Sequence, residues 1–142
     1  MRRNGTLLRR LRKRDKFLNN STVLIQNKPL KDTLLDRDLA KLGDAYLNFA
    51  YSLAVSLKTG RPCGLRVSNK ILADAIKRAG LRPLLPHRLS SHDIGGAGES
   101  LTAYALLKGY ITTEEIVQAL REGEDAVEVF TRIFEKIAKC RD

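Results

Sequence analysis

Leu42-Gly43-Asp44-Ala45-Tyr46-Leu47 lies inside a helical pattern, yet two of its residues weaken a helix. Gly costs about 1 kcal/mol against Ala in a helix interior, and Asp is a poor helix former. Around them Leu35, Leu39, Leu42, Tyr46, Phe49 and Leu53 recur at the three-and-four spacing of a buried stripe. A Gly-Asp pair there suits two needs: close approach of a neighbouring backbone, and a carboxylate at a fixed height on a rigid element. The plainer reading is a surface Asp beside a packing Gly. Periodicity alone leaves both open.

Outward from that pair, helical periodicity recurs and strand-like alternation is scarce. Asp32 or Thr33 opens a long helix that runs to about Lys58, where Thr59-Gly60-Arg61-Pro62 stops it. Ser68 caps a helix that ends before Gly80, with Ile71, Leu72, Ala75, Ile76 and Ala79 on its apolar face. Leu81 to Ser91 carries Pro83 and Pro86 and reads as irregular. His92 to Glu99 is polar and Gly-rich, and reads as a flexible entry to a helix from about Ala97 to Lys108. Thr112 with Glu115 forms a capping box, with Ile111 and Ile116 as its staple. A last helix from about Asp125 to Cys140 buries Val127, Phe130, Ile133, Phe134 and Ile137. The expectation is an all-α fold of five or six helices.

At 142 residues, 43% hydrophobic and 30% charged, the chain supports one globular domain. Its apolar runs are too short and too charged to span a bilayer. The charged N-terminus has no secretory core, which points to the cytoplasm. Cys63 and Cys140 have no metal-type spacing and are expected to be reduced thiols.

The net charge of +10 is unevenly placed. Residues 1–31 hold ten Lys or Arg and a single acid, Asp15, a balance of +9 that leaves +1 for the rest. This divides the chain into a basic arm, 1–31, and a helical domain, 32–142. Thr6 could cap a short basic helix from Leu7 to about Leu18, and Val23-Leu24-Ile25 could pack on the body. Such an arm suits a polyanion, most often nucleic acid, through Arg9, Arg10, Arg12, Lys13 and Arg14. A solubilising tail and an amphipathic membrane helix are the alternatives.

Two acids stand out by context. Asp44 is mid-helix in apolar surroundings, and Glu99 falls in a first helical turn. If their helices pack, two carboxylates converge, and such oxygen donors suit a hydrated Mg²⁺. A surface carboxylate favoured by the helix dipole is the commoner explanation for Glu99. His87 and His92, the only histidines, have no zinc-type partners, and Gly95-Gly96-Ala97-Gly98 lacks the Lys of a phosphate-binding loop.

Three stretches carry a family resemblance. Leu39-Ala40-Lys41-Leu42-Gly43-Asp44-Ala45-Tyr46-Leu47 resembles the signature helix of the ribonuclease III endonuclease domain. Arg66-Val67-Ser68-Asn69-Lys70-Ile71-Leu72-Ala73, running on to Ala79-Gly80-Leu81, resembles its second stretch, and Glu99-Ser100-Leu101-Thr102-Ala103-Tyr104-Ala105-Leu106-Leu107-Lys108-Gly109 its acidic third. The order and spacing match over most of residues 34–110. The resemblance implies an all-helical bundle that forms a homodimer and cuts double-stranded or structured RNA with Mg²⁺, or Mn²⁺ in its place. Asp44 and Glu99 fill two of the family's four catalytic carboxylate positions. The other two fall on Ala40 and Gly96, and a further acid often found upstream is Arg37. Short forms of the family, without a double-stranded-RNA-binding domain, also lack acids where Ala40 and Gly96 stand, and this chain is expected to be one of them. Asp93 is a further candidate ligand. Asp36, about 12 Å from Asp44 along the helix, could reach only an outer-shell water. Lys41, Asn69 and Lys70 are candidate phosphate contacts. The alternative is a non-catalytic double-stranded-RNA-binding protein on the same fold, and a third class is a helical DNA- or partner-binding bundle.

Overall fold

The computed structural model describes residues 22–25 and 28–140. Among them are six α-helices: α1 Leu30–Leu34, α2 Arg37–Thr59, α3 Asn69–Arg78, α4 Ser91–Lys108, α5 Thr113–Glu122 and α6 Ala126–Cys140. Short 3-10 turns cover Thr22–Leu24 and Arg82–Leu84, and no strand occurs among the described residues. The all-α expectation holds. No helix there is long and apolar enough to cross a membrane.

The expected long helix from Asp32 is two helices. Asp36 is the reason: it leaves helical geometry and accepts hydrogen bonds from the backbone N–H groups of Asp38 and Leu39, so it caps α2. The far end behaves as expected, with Gly60 at φ 76° closing α2 in the left-handed conformation. Ser68 caps α3 by accepting from Ile71 N–H, and Thr112 caps α5 by accepting from Glu115 N–H.

α4 is the central helix. It packs on α2 and α3 along most of its length and also meets α1 and α6. Ten of its residues are buried, from Ile94 to Ala105, so it has no solvent-facing stripe. Ser100 and Thr102 are fully buried yet satisfied: Ser100 Oγ donates to the Asp36 carbonyl at 2.9 Å, and Thr102 Oγ1 to the Gly98 carbonyl at 2.9 Å. α6 closes the core with Phe130 and Phe134, their ring centroids 6.1 Å apart. Ile133 and Ile137 are buried as expected, while Val127 is only half-buried and Val129 takes the core position.

Two further expectations are corrected. The Gly-rich stretch is not a flexible entry: Ser90 caps α4 at once, and residues 91–96 are helical. Gly95 and Gly98 serve packing, since a Cβ at Gly95 would lie 2.7 Å from the Asn69 carbonyl oxygen and one at Gly98 would lie 3.1 Å from Phe134 Cζ. Tertiary burial outweighs the poor intrinsic propensity. The second correction concerns the apolar stripe of α2. Leu39 is buried, and Tyr46 and Leu53 partly so, but Leu35, Leu42 and Phe49 are exposed at 41%, 45% and 61%. The core face of α2 is Leu39, Gly43, Leu47, Ala50 and Ala54. Small residues win it because they let α4 approach closely. Near the N-terminal side, Ile25 is buried against Leu39 and Ala103, whereas Val23 and Leu24 are exposed.

Candidate active site

The crossing of α2 and α4 sets the site. A Cβ at Gly43 would stand 1.9 Å from the Glu99 carbonyl oxygen, so the helices touch backbone to backbone at this point. The next residue on α2 is Asp44, and the touched residue on α4 is Glu99. Both side chains line one cleft of about 830 Å³.

Glu99 is 8% exposed. Burial, reinforced by the negative charge of Asp44, pushes its carboxyl up to about 7. Asp44 is half-exposed and better served. Asn48, one turn on, donates from Nδ2 to Asp44 Oδ1 at 3.1 Å, and Arg66 Nη2 stands 4.0 Å from Asp44 Oδ2. Asn48 also accepts the Val67 N–H at 2.8 Å, so one side chain aims the acid and pins the segment before α3.

The cleft also contains the positions that the resemblance leaves without acids. Ala40, Gly96 and Arg37 all line it. A Cβ at Gly96 would meet nothing within 4 Å. Asp93 lines the same cleft from the first turn of α4, exposed, and six residues before Glu99. Among the described residues no three His, Cys, Asp or Glu side chains come together as metal ligands. An all-protein cage is therefore not what the cleft offers. Asp44 and Glu99, the latter with its carboxyl raised to about 7 by burial and by the Asp44 charge, suit a hydrated hard cation that needs only one or two protein oxygens.

The remaining candidates divide. Asp36 is committed to capping α2, with Lys28 Nζ 3.5 Å from its second oxygen. Lys41 is exposed at the cleft edge, 3.7 Å from Asp38. Asn69 lines the cleft with its amide turned to His92, and Lys70 is exposed outside the lining. Arg9, Arg10, Arg12, Lys13 and Arg14 lie outside the described residues. Sequence reasoning missed Asn48, Arg66 and His92 as site residues. Asn48 had a local clue, its place one turn after Asp44. The other two reach the cleft only through the tertiary fold.

A protein-family model described as Ribonuclease III matches residues 37–141, from the first residue of α2 through α6. Comparison with curated proteins gives no match.

Proposed function

This chain belongs to the ribonuclease III family, and from that premise we propose that it is a metal-dependent endoribonuclease cleaving double-stranded or structured RNA. The family membership supports a nuclease acting on RNA. The observation that carries the metal-dependent reading is the buried Glu99 beside Asp44 in one cleft, with its carboxyl pushed up to about 7. The Asp44 charge is felt at Glu99, and a cation in the cleft would relieve that repulsion.

Asp44 and Glu99 are the residues that would hold Mg²⁺, or Mn²⁺ in its place. When bound, such an ion makes water more acidic and offsets the charge that builds on a phosphodiester during in-line attack. The chain's own side chains do the rest. Asn48 holds the Asp44 carboxylate in one orientation. Arg66, exposed beside it, offers a guanidinium to a phosphate once the backbone of an RNA strand enters. Lys41 adds a flexible positive charge at the rim, and the basic arm would add sequence-independent attraction.

The same reading includes a homodimer. Leu42, Phe49 and Leu57 are exposed on one side of α2, and Phe49 and Leu57 border an apolar groove with Leu53, Pro62 and Cys63. An apolar face of this kind on a soluble helix suits a protein partner, and a second copy is the occupant we propose. We place the protein in the cytoplasm, which suits Cys63 and Cys140 as free thiols.

The test is incubation of duplex RNA with the protein and Mg²⁺, in parallel with Asp44→Asn and Glu99→Gln. Cleavage that both substitutions abolish is the expected result; cleavage indifferent to both would discard the assignment. A second reading has its own support. Ala40 and Gly96 stand where acids would complete the set, and no three-ligand cluster exists among the described residues. A duplex-RNA-binding protein without cleavage fits those facts, and the same assay separates the two.

A further inference from the structure

We propose that His92 is an RNA-contacting residue of this cleft, presented as a hydrogen-bond donor by Asn69. The proposal rests on the RNA substrate of the reading above but assigns a residue which that reading leaves without a role.

The placement is built from both sides. Ser68 caps α3 and Ser90 caps α4, so Asn69 and His92 each follow a fixed helix start. Gly95 lets the first turn of α4 settle on Asn69, since a Cβ there would lie 2.7 Å from the Asn69 carbonyl oxygen and 2.9 Å from its Cβ. Across that contact Asn69 Nδ2 stands 2.5 Å from His92 Nδ1.

The chemistry follows from the atoms. With the Asn69 amide assigned so that Nδ2 faces the ring, Nδ1 accepts and a neutral ring carries its proton on Nε2. The pair thus fixes both the orientation of the imidazole and the nitrogen that carries its hydrogen. His92 is exposed and lines the cleft with Asp44 and Glu99. Its free Nε2–H is a donor beside two carboxylates that repel a polyanion. Arg66, exposed and 4.0 Å from Asp44, is the other donor at that end of the cleft. A non-bridging phosphate oxygen of the strand in the cleft is the group that Nε2–H suits. Asn69 then acts through His92 and is a positioning residue rather than a phosphate contact of its own.

The experiment is equilibrium binding of labelled duplex RNA, without divalent cation, to the wild type, His92→Ala, His92→Gln, Asn69→Ala and the double Ala variant. Loss of one hydrogen bond to a charged oxygen should weaken binding about tenfold in His92→Ala. Asn69→Ala should weaken it less, and the double variant should be no worse than His92→Ala. His92→Gln, which keeps a neutral donor, should retain most of the affinity, with all melting temperatures unchanged. Wild-type affinity in His92→Ala, or losses that add in the double variant, would overturn the proposal. Cleavage with Mg²⁺ on the same proteins separates the two ideas. His92-dependent binding by a wild type that never cleaves upholds this inference and overturns the nuclease reading. Cleavage by His92→Ala with an unchanged KM does the reverse.

Discussion

Gly43 meets the carbonyl of Glu99 so closely that a single added carbon would lie 1.9 Å from that oxygen. The obstacle is backbone, held in the middle of the central helix, and it cannot swing away. Gly43→Ala should therefore destabilise the fold by about 1–3 kcal/mol, the usual cost of overpacking. It should also reduce RNA cleavage at temperatures where the variant is fully folded, because it pushes Asp44 away from Glu99. Thermal melts and cleavage rates on the same sample check both. A variant as stable as the wild type would mean that the two helices can part without cost.

Glu99 links the site to pH. Its carboxyl is raised from the ordinary 4.5 to about 7, first by burial and then by the Asp44 charge. The folded state thus holds this proton more tightly than the unfolded state. The resulting stabilisation is complete below 4.5 and is lost as pH rises through about 7. Glu99→Gln removes the charge and keeps the shape. It should melt above the wild type at about pH 8, by roughly 2 kcal/mol, and match it at about pH 4. Mg²⁺ added at the higher pH should raise the melting temperature of the wild type more than that of Glu99→Gln. Melting curves across the pH range read both effects.

Gly96 offers a gain rather than a loss. A Cβ there meets nothing within 4 Å, and the position opens onto the cleft one turn before Glu99. Gly96→Asp should add a carboxylate beside Asp44 and Glu99 without disturbing the core. Mg²⁺ affinity, measured by calorimetry, should rise several-fold, while stability without the ion should fall near neutral pH from the added repulsion. Unchanged affinity would place the cation elsewhere.

Phe49 tests the dimer. At 61% exposure it adds little to the core of a single chain, so Phe49→Glu should change the stability of the monomer by less than about 0.5 kcal/mol. The same change puts a charge into the proposed contact between copies. Light scattering should show a dimer for the wild type and a monomer for the variant. A dimer in both would move the interface to another face.

Where local chemistry decided the structure, the sequence was readable. Ser68, Thr112 and Gly60 act through their own side chain or backbone and within a few residues, and each does what its pattern implies. The fold class and the sharing of one cleft by Asp44 and Glu99 were likewise legible. Misreadings arose where distant parts of the chain decide. The face of α2 chosen for the core is the one with Gly43, Ala50 and Ala54, because α4 must come close, and a hydrophobic pattern rewards large residues instead. The Gly-rich start of α4 is helical because Asn69, Leu72 and Phe134 pack against it, contacts that no window around residues 92–99 contains. Asp36 could continue a helix or cap one, and the buried Ser100 hydroxyl that bonds its carbonyl lies 64 residues away. His92 became a site residue only when Asn69 was beside it.

The acids of the cleft do not hold themselves in place. Gly43 fixes the height of Asp44, and Ser100, the residue after Glu99, is anchored by its bond to the Asp36 carbonyl. Frame and chemistry are thus written in neighbouring but separate letters. Either carboxylate could be replaced by its amide over evolutionary time while the crossing survived intact. Variants without the acids would then keep the Gly and the Ser as the frame of the crossing. Those two residues preserve the crossing onto which one codon change at each position could bring the acids back.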